Sequence, residues 1–197
     1  IMLNGVPEGT VEKILERKDI VLSSHYNTIN YKINEDYYID GKRTAICGAD
    51  SNITEIIGGF TEGRYPQNSH ETVLTANAKT YFGIGIGDEI TLNMPKGDKV
   101  YIVTGFNDDI SKVMQYDSVV AFVNMEAFDE ITREQTSDSA EYVTYIRFSD
   151  NTDIRKAVSQ IKEQYGLTDE QIGQNTAILG LLGYSDNSYV LGLYLVA

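Results

Sequence analysis

Histidine and cysteine are scarce in this sequence, and their spacing does not match a known catalytic or metal site. His25 and His70 lie far apart, and neither has the His-x-x-x-His spacing found in zinc enzymes. Residues 107–109 and 150–153 resemble calcium loops superficially, but both lack the glycine and the distant glutamate of such loops. Cys47 is the only cysteine, and its apolar setting in a strand-like segment favours a core position over a nucleophile.

The glycine-rich run at residues 83–87, GIGIG, invites comparison with a dinucleotide-binding loop. Asp88 stands where the third glycine of that motif belongs, and the run follows a helical segment rather than a strand. A turn between a helix and a strand explains it better. The sequence also lacks the phosphate-binding G-x-x-x-x-G-K-[ST] motif and the G-x-S-x-G motif of hydrolases. We therefore predict no catalytic residue, no metal site and no cofactor.

Tyrosine is the one enriched side chain that suits a binding surface. The chain has 14 tyrosines and no tryptophan, and four of them crowd the first predicted hairpin, namely Tyr26, Tyr31, Tyr37 and Tyr38. Exposed tyrosines provide contact area at a low entropic cost, but tyrosine also fills strands for its β propensity. Both interpretations stay open, and these four residues are the candidate partner contacts.

The charge balance of the chain restricts its partners. It has 197 residues, 16 of them basic and 29 acidic, with a formal net charge of −13. Proteins that bind nucleic acid use clustered lysine and arginine to contact its phosphates. The acidic balance of this chain therefore argues against a nucleic-acid partner and disfavours adsorption on anionic lipid. No basic stretch followed by an apolar one opens the chain at Ile1, so we expect a segment of a longer protein rather than a secretory precursor.

Apolar periodicity and turn residues predict alternating helices and strands. Asp40-Gly41 is predicted as the turn of the first hairpin, because both residue types tolerate positive φ. Gly166 is predicted to end the last helix, and residues 149–151 to cap its start. In chain order we predict a helix at 11–17, strands at 19–33 and 43–48, a helix at 52–57, a strand at 71–75, a helix at 76–82, strands at 89–94, 100–106 and 116–123, a helix at 125–131, a strand at 142–148 and a helix at 153–165.

The first and last groups of elements are too small to fold separately, but together they make a two-layer arrangement. We therefore predict an α+β fold with two subdomains. One is a discontinuous two-layer α/β sandwich of residues 1–58 and 138–180. The other is an inserted β-rich module of residues 59–137.

The C-terminal residues 181–197 form a third predicted part. Residues 189–197, YVLGLYLVA, carry no charge but are too few to span a bilayer, which needs about twenty residues. Two interpretations remain open for this segment. It is either a buried terminal strand or the beginning of a membrane helix.

The central stretch from Gly59 to Phe106 shows an ordered pattern: Gly-Arg-x-Pro, an acidic residue, a short strand, a helix, Gly-x-x-x-Gly-Asp, and two strands around a turn, the second containing Val-x-Gly. This pattern resembles the extracytoplasmic core domain of MacB/FtsX-type ABC transporter permeases. The residues that carry the resemblance are Gly63, Arg64, Pro66, Glu71, Leu74, Gly83, Gly87, Asp88, Ile90, Val103 and Gly105.

The resemblance implies a non-catalytic domain on the extracytoplasmic face of the cell membrane. It implies that residues 1–58 and 138–180 lie near the membrane, that residues 59–137 lie distal to it, and that residues 181–197 lead into a membrane helix. Its implied work is to pass ATP-driven motion of the membrane helices to a substrate or partner outside. The implied partners are a cytoplasmic ABC ATPase, a second permease copy or partner permease, and a peptide-like, antibiotic or lipoprotein substrate.

Two other classes of function remain open from the residues alone. A free-standing surface module could bind peptide or glycan through the tyrosine-rich hairpin. A hydrolase built on acidic residues would need two or more carboxylates that converge in a deep cleft.

Overall fold

The computed structural model of this chain describes residues 1–30, 32–33, 35–57, 62–107, 118–135 and 140–173. Within these ranges the chain forms eleven strands and five helices. In order they are β1 (Met2–Asn4), α1 (Glu8–Leu15), β2 (Ile20–Ile29), β3 (Tyr38–Ile39), β4 (Lys42–Ala49), α2 (Ile53–Ile57), β5 (Glu62–Gly63), β6 (Glu71–Thr75), α3 (Asn77–Phe82), β7 (Glu89–Asn93), β8 (Lys99–Asn107), β9 (Val119–Asn124), α4 (Met125–Gln135), β10 (Val143–Phe148), α5 (Ile154–Tyr165) and β11 (Ile172–Gly173).

Six strands close into a ring in the order β4, β3, β7, β8, β6, β9 and back to β4. The β4–β9 and β6–β8 pairs are parallel, and the other four pairs are antiparallel. Alternate side chains of a strand point to opposite faces, and one buried cluster receives residues from all six strands. That cluster fills the ring, with members such as Ile39, Ile46, Leu74, Leu92, Val103 and Ala121.

A four-stranded sheet, in the order β11, β1, β10 and β2, continues from the ring. The two sheets share β2. Its first part, from Ile20 to His25, pairs with β10, and its last part, from Tyr26 to Ile29, pairs with β4 of the ring. One uninterrupted ten-residue strand therefore belongs to both sheets.

The buried side chains form separate clusters that follow this division. A second cluster lies on the outer side of β4, β6 and β9 and contains Cys47, Val73 and Phe122. A third cluster joins the two ends of the described chain and packs α1 and α5 against the four-stranded sheet. Its buried members are Leu3, Val11, Ile14, Ile146, Phe148, Ala157, Ile161 and Ile172.

The predicted mixture of α and β structure is confirmed. The hairpin turn is also confirmed, because Asp40 and Gly41 have φ values of 46° and 74°, as a type I′ turn requires. The structure places β3 and β4, which we predicted with residues 1–58, in the ring with the strands of residues 59–137. Residues 58–61 and 136–139, where the predicted boundaries fall, lie outside the described ranges, so the division into subdomains stays a prediction.

The N-terminal cap of α5 differs from our prediction. We predicted a cap at residues 149–151, but the Asp153 carboxylate accepts the hydrogen bond from the Lys156 backbone N–H at 3.1 Å. The Ser149 hydroxyl instead bonds the Thr152 hydroxyl at 2.8 Å. A cap must lie next to the first helical turn, and Asp153 has that place. Gly166 ends the helix with a φ of 66°, as predicted.

Replacing Asp153 with alanine is expected to lower the free energy of unfolding by about 1 kcal/mol, because the Lys156 N–H loses its acceptor. Urea unfolding followed by circular dichroism measures the loss. Asp150→Ala, at an exposed position in the preceding turn, is the matched control. Equal losses in the two variants would show that the Asp153 carboxylate does not cap α5.

Candidate functional site

Of the predicted partner-contact tyrosines that the structure describes, Tyr37 is buried. Tyr37 is only 1% exposed and belongs to the cluster inside the ring, so its side chain offers no contact surface, contrary to our expectation. It lies just before β3 and joins Ile39 in the interior. Tyr31 lies outside the described residues. Contact with a partner therefore stays a prediction for Tyr26, Tyr31 and Tyr38.

Tyr26 and Tyr38 are both half-buried and engaged within the fold. The Tyr26 ring meets the edge of Tyr145, with ring centroids 5.7 Å apart. The Tyr38 hydroxyl donates to Asp36 Oδ1 at 3.0 Å, and the Arg43 guanidinium lies 5.4 Å from the Tyr38 ring centroid. Both tyrosines contribute to local packing, and their contact with a partner stays a prediction.

Arg64 of the Gly-Arg-x-Pro segment and the acidic residue Glu71 contact each other across the loop between β5 and β6. Arg64 Nη1 and Nη2 each donate to the Glu71 carboxylate at 2.7 Å. The Gln67 backbone N–H donates to the same carboxylate at 2.8 Å. The hydrogen bonds from Arg64, assisted by the Gln67 N–H, lower the pKa of Glu71 to about 2. The two motif residues therefore hold this loop closed.

This contact predicts a pH dependence of stability. The pKa of Glu71 is lower in the folded chain than its ordinary value of 4.5, so the unfolded chain binds the proton first as the pH falls. The stabilisation is complete above pH 4.5 and is lost as the pH falls toward about 2. In Glu71→Gln this contribution is absent at every pH, so wild type and variant should converge in stability through that window.

Urea unfolding of wild type and Glu71→Gln at a series of pH values tests this dependence. Glu89→Gln, a change of the same kind at an exposed position of β7, is the control and should follow the wild-type curve. A constant difference between wild type and Glu71→Gln across the acidic range would contradict a role for the ionised Glu71 carboxylate.

The glycine-rich run forms the predicted turn between α3 and β7. Gly83 ends α3 with a φ of 66°, and the Gly85 N–H donates to Asp88 Oδ2 at 2.8 Å. The Gly87 N–H donates to the Val103 carbonyl, and the Val103 N–H to the Asp88 carbonyl, both at 2.8 Å. The Asp88 side chain thus closes the turn on itself, and the backbone of Gly87 and Asp88 fastens the turn onto β8.

The described residues show neither a reactive cysteine nor a metal-binding group. Cys47 is buried in the outer cluster, and burial raises the pKa of its thiol. Within the described ranges, no group of three or more His, Cys, Asp and Glu side chains is arranged to hold a metal ion.

A groove lies where the four-stranded sheet meets α4. It has a volume of about 560 Å³ and is bordered by the β1–α1 loop, α1, β2, β10 and α4. Leu3 and Val11 are part of its apolar lining, and Tyr142 is 47% exposed beside them. Glu8 of α1 and Asp129 of α4 also line the groove.

The polar groups within the groove are bonded to its own walls. The Thr144 hydroxyl lies 3.2 Å from His25 Nδ1, on the neighbouring strand. Asn27 Oδ1 accepts from the Val143 N–H at 3.3 Å, and Asn27 Nδ2 lies 3.9 Å from Met125 Sδ. We did not predict this groove, since its residues come from four distant segments and share no local motif.

Most of the chain matches one known protein family. Residues 4–164 match the family described as the MacB-like periplasmic core domain. This chain belongs to that family. The resemblance inferred from the central motif is therefore confirmed.

Solved structures of this kind share the architecture of our MacB-like domain. The periplasmic region of MacB from Actinobacillus actinomycetemcomitans aligns with a TM-score of 0.56 and 14% identity, over 85% of this chain and 84% of that one. The extracellular domain of the ABC-type transporter YknZ from Gram-positive bacteria aligns with a TM-score of 0.52 and 8% identity, over 85% of this chain and 96% of that one. At these identities the likeness shows the fold alone.

Among curated proteins, none matches the sequence of this MacB-like domain. Within the described ranges, every helix is too short or too polar to cross a lipid bilayer. The predicted membrane connection at residues 181–197 lies outside these ranges.

Proposed function

We propose that this MacB-like core domain is the non-catalytic extracytoplasmic part of an ABC transporter permease in the cell membrane. Its work is to pass the motion of the membrane helices, driven by a cytoplasmic ATPase, to a substrate or partner outside the membrane. The family match over residues 4–164 supports the transporter assignment. The packing of the two sheets supports the mechanical role.

The observation that carries the mechanical proposal is the strand shared by the two sheets. β2 pairs with β10 up to His25 and with β4 from Tyr26 onward, so no flexible linker separates the two sheets along this strand. Thr28 and Glu141 exchange two backbone hydrogen bonds of 2.8 Å beside the change of partner. A displacement of one sheet is therefore passed to the other through covalent and hydrogen-bonded backbone.

Side chains reinforce this change of partner in β2. Asp50, which follows β4, accepts the His25 backbone N–H at 2.8 Å and the Asn52 N–H at 2.9 Å. The Asn52 side-chain amide donates to the Ser23 carbonyl at 3.0 Å. These bonds tie the segment after β4 to the half of β2 that pairs with the other sheet. Bending at this point would break several of them together.

We assign the parts of the domain as the family likeness suggests. Residues 1–58 and 138–180 are the membrane-proximal part, residues 59–137 the distal part, and residues 181–197 the connection toward a membrane helix. β3 and β4 of the first part complete the ring and so join it to the distal part. The cluster that joins both ends of the described chain supports a membrane-proximal part made from both ends, since two flanking membrane helices would hold it there. The partners proposed are the ATPase, a second permease copy or partner permease, and a peptide-like or lipoprotein substrate.

Removal of the domain from the complete permease tests this proposal. The permease, assembled with its ATPase in liposomes, is compared with a variant in which a short flexible linker replaces residues 4–164. We expect ATP hydrolysis to continue and transport to be lost. The ATPase and the membrane helices remain, but the domain that passes their motion to the substrate is missing. Full transport by the shortened permease would overturn the proposed function. A parent protein that functions free of any membrane would do the same.

A further inference from the structure

We propose that the groove between α1 and α4 binds a cationic amphipathic peptide segment. Its apolar side chains would lie against Val6, Val11 and Tyr142, and its basic side chains would meet the carboxylates of Glu8 and Asp129. As a substrate or partner site of the permease, this inference rests on the proposed function. Binding itself depends only on the groove.

The size and surface of the groove suit a short peptide segment. Its volume of about 560 Å³ falls within the range of ligand sites. Tyr142 is 47% exposed, although the edge-on contact with Phe128, at 6.4 Å between centroids, fixes its ring. A fixed, exposed aromatic ring provides apolar contact at a low entropic cost.

Several polar groups of the groove already have hydrogen-bond partners in its walls. His25 and Thr144 bond each other, and Asn27 accepts from the Val143 backbone within the wall. A ligand that covers them with apolar groups leaves these bonds intact, which avoids the cost of burying an unpaired polar atom. Apolar side chains of a ligand can therefore lie over the Thr144 hydroxyl and Asn27 Oδ1 without breaking these bonds.

The charge at the rim selects the sign of the ligand. Glu8 and Asp129 are both exposed, and neither forms an ion pair within the described residues. The described residues that line the groove include no lysine or arginine. Two carboxylates, one from each helix, complement a peptide with basic residues and repel anionic ligands.

Binding of a synthetic peptide to the 197-residue chain tests the proposal. The probe is a short fluorescent peptide of leucine and lysine, followed by fluorescence anisotropy at low and moderate salt. A peptide of leucine and glutamate and an oligolysine without leucine are the comparisons. We expect saturable binding of the leucine–lysine peptide, weaker binding of oligolysine and none of the leucine–glutamate peptide.

Charge-removing variants locate the site. The double variant Glu8→Gln and Asp129→Asn is expected to weaken binding about tenfold, since it removes two exposed charge pairs. The matched control, Glu12→Gln and Glu126→Gln, removes two exposed carboxylates from the same helices outside the groove. It should bind as wild type does. Circular dichroism confirms that each variant is folded.

Three results would overturn this proposal. Equal weakening by the two double variants would mean that net charge, not the groove, attracts the peptide. If oligolysine binds as tightly as the leucine–lysine peptide, apolar contacts with the floor of the groove do not contribute to binding. Retention of the chain on neutral phosphatidylcholine vesicles without peptide binding would assign the floor to a lipid surface. Loss of peptide binding alone leaves the transporter proposal intact, whereas the domain-removal experiment can fail while the groove still binds peptide.

Discussion

Phe128→Ala is expected to lower the free energy of unfolding by about 3–5 kcal/mol. The side chain is fully buried in the cluster that fills the ring, and it seats α4 against β4. Truncation removes its apolar contacts and leaves a cavity that the closed ring can fill only in part. Urea unfolding of both proteins, monitored by circular dichroism, measures the loss.

A second variant at Gly48 makes this prediction specific to the packing of α4. A Cβ added to Gly48 would lie 2.3 Å from Phe128 Cγ, so Gly48→Ala alone should destabilise the chain by about 1–3 kcal/mol through overpacking. In the Phe128→Ala background the same change should cost much less, because the added methyl group enters the new cavity. Strictly additive losses would show that the two residues do not meet.

Gly63→Ala is expected to lower the free energy of unfolding by about 3 kcal/mol, from backbone strain and steric overlap together. Gly63 has a φ of 87°, and an added Cβ would lie 2.2 Å from the Thr104 carbonyl oxygen and 2.6 Å from Gly105 Cα. Both neighbours are backbone atoms of β8, so β5 would have to move away from the ring. The loop closed by Arg64 and Glu71 would then lose its anchor.

Gly87→Ala separates the two causes. Gly87 has a φ of 95°, but an added Cβ would meet nothing within 4 Å. This variant therefore reports conformational strain alone, and we expect it to cost about 1 kcal/mol. Equal losses for Gly63→Ala and Gly87→Ala in urea unfolding would mean that the close approach of β5 to β8 contributes nothing.

Local chemistry made several elements predictable from the sequence. The Asp40-Gly41 turn was predictable because few other residue pairs tolerate two positive φ values. The end of α5 at Gly166 and the turn at residues 83–87 follow the same rule for glycine. The family resemblance was visible because its motif residues, Arg64, Glu71 and Asp88 among them, keep fixed positions around two loops.

Long-range pairing was not predictable in the same way. β1, β5 and β11 have two or three residues each, and their strand conformation depends on partners elsewhere, such as Met2 opposite Tyr145. Closure of the ring depends on the parallel pairing of β4 with β9, which no local pattern indicates. The burial of Tyr37 follows from that closure, so its side chain looked like a surface contact in the sequence.

The groove could not be predicted from the sequence either, because it also depends on long-range packing. Glu8 and Asp129 are ordinary exposed carboxylates in an acidic sequence, and only the packing of α1 near α4 brings them to one rim. The Tyr142 ring is equally ordinary in a chain with 14 tyrosines. Sequence reasoning predicted the class of protein from a motif that stabilises loops, whereas the candidate binding surface lies away from that motif.

Distance measurements in the working transporter test the mechanical proposal most directly. Spin labels are placed on cysteines introduced at Glu12 on α1 and at Asp98 in the turn between β7 and β8, both exposed, whereas Cys47 is buried. A third label is placed in a membrane helix, and distances are compared with and without trapped ATP. A rigid connection through β2 predicts a constant distance between residues 12 and 98, and an ATP-dependent change between residue 98 and the membrane helix. A label at residue 98 that keeps its distance from the membrane helix while transport proceeds would contradict the proposed transmission of motion.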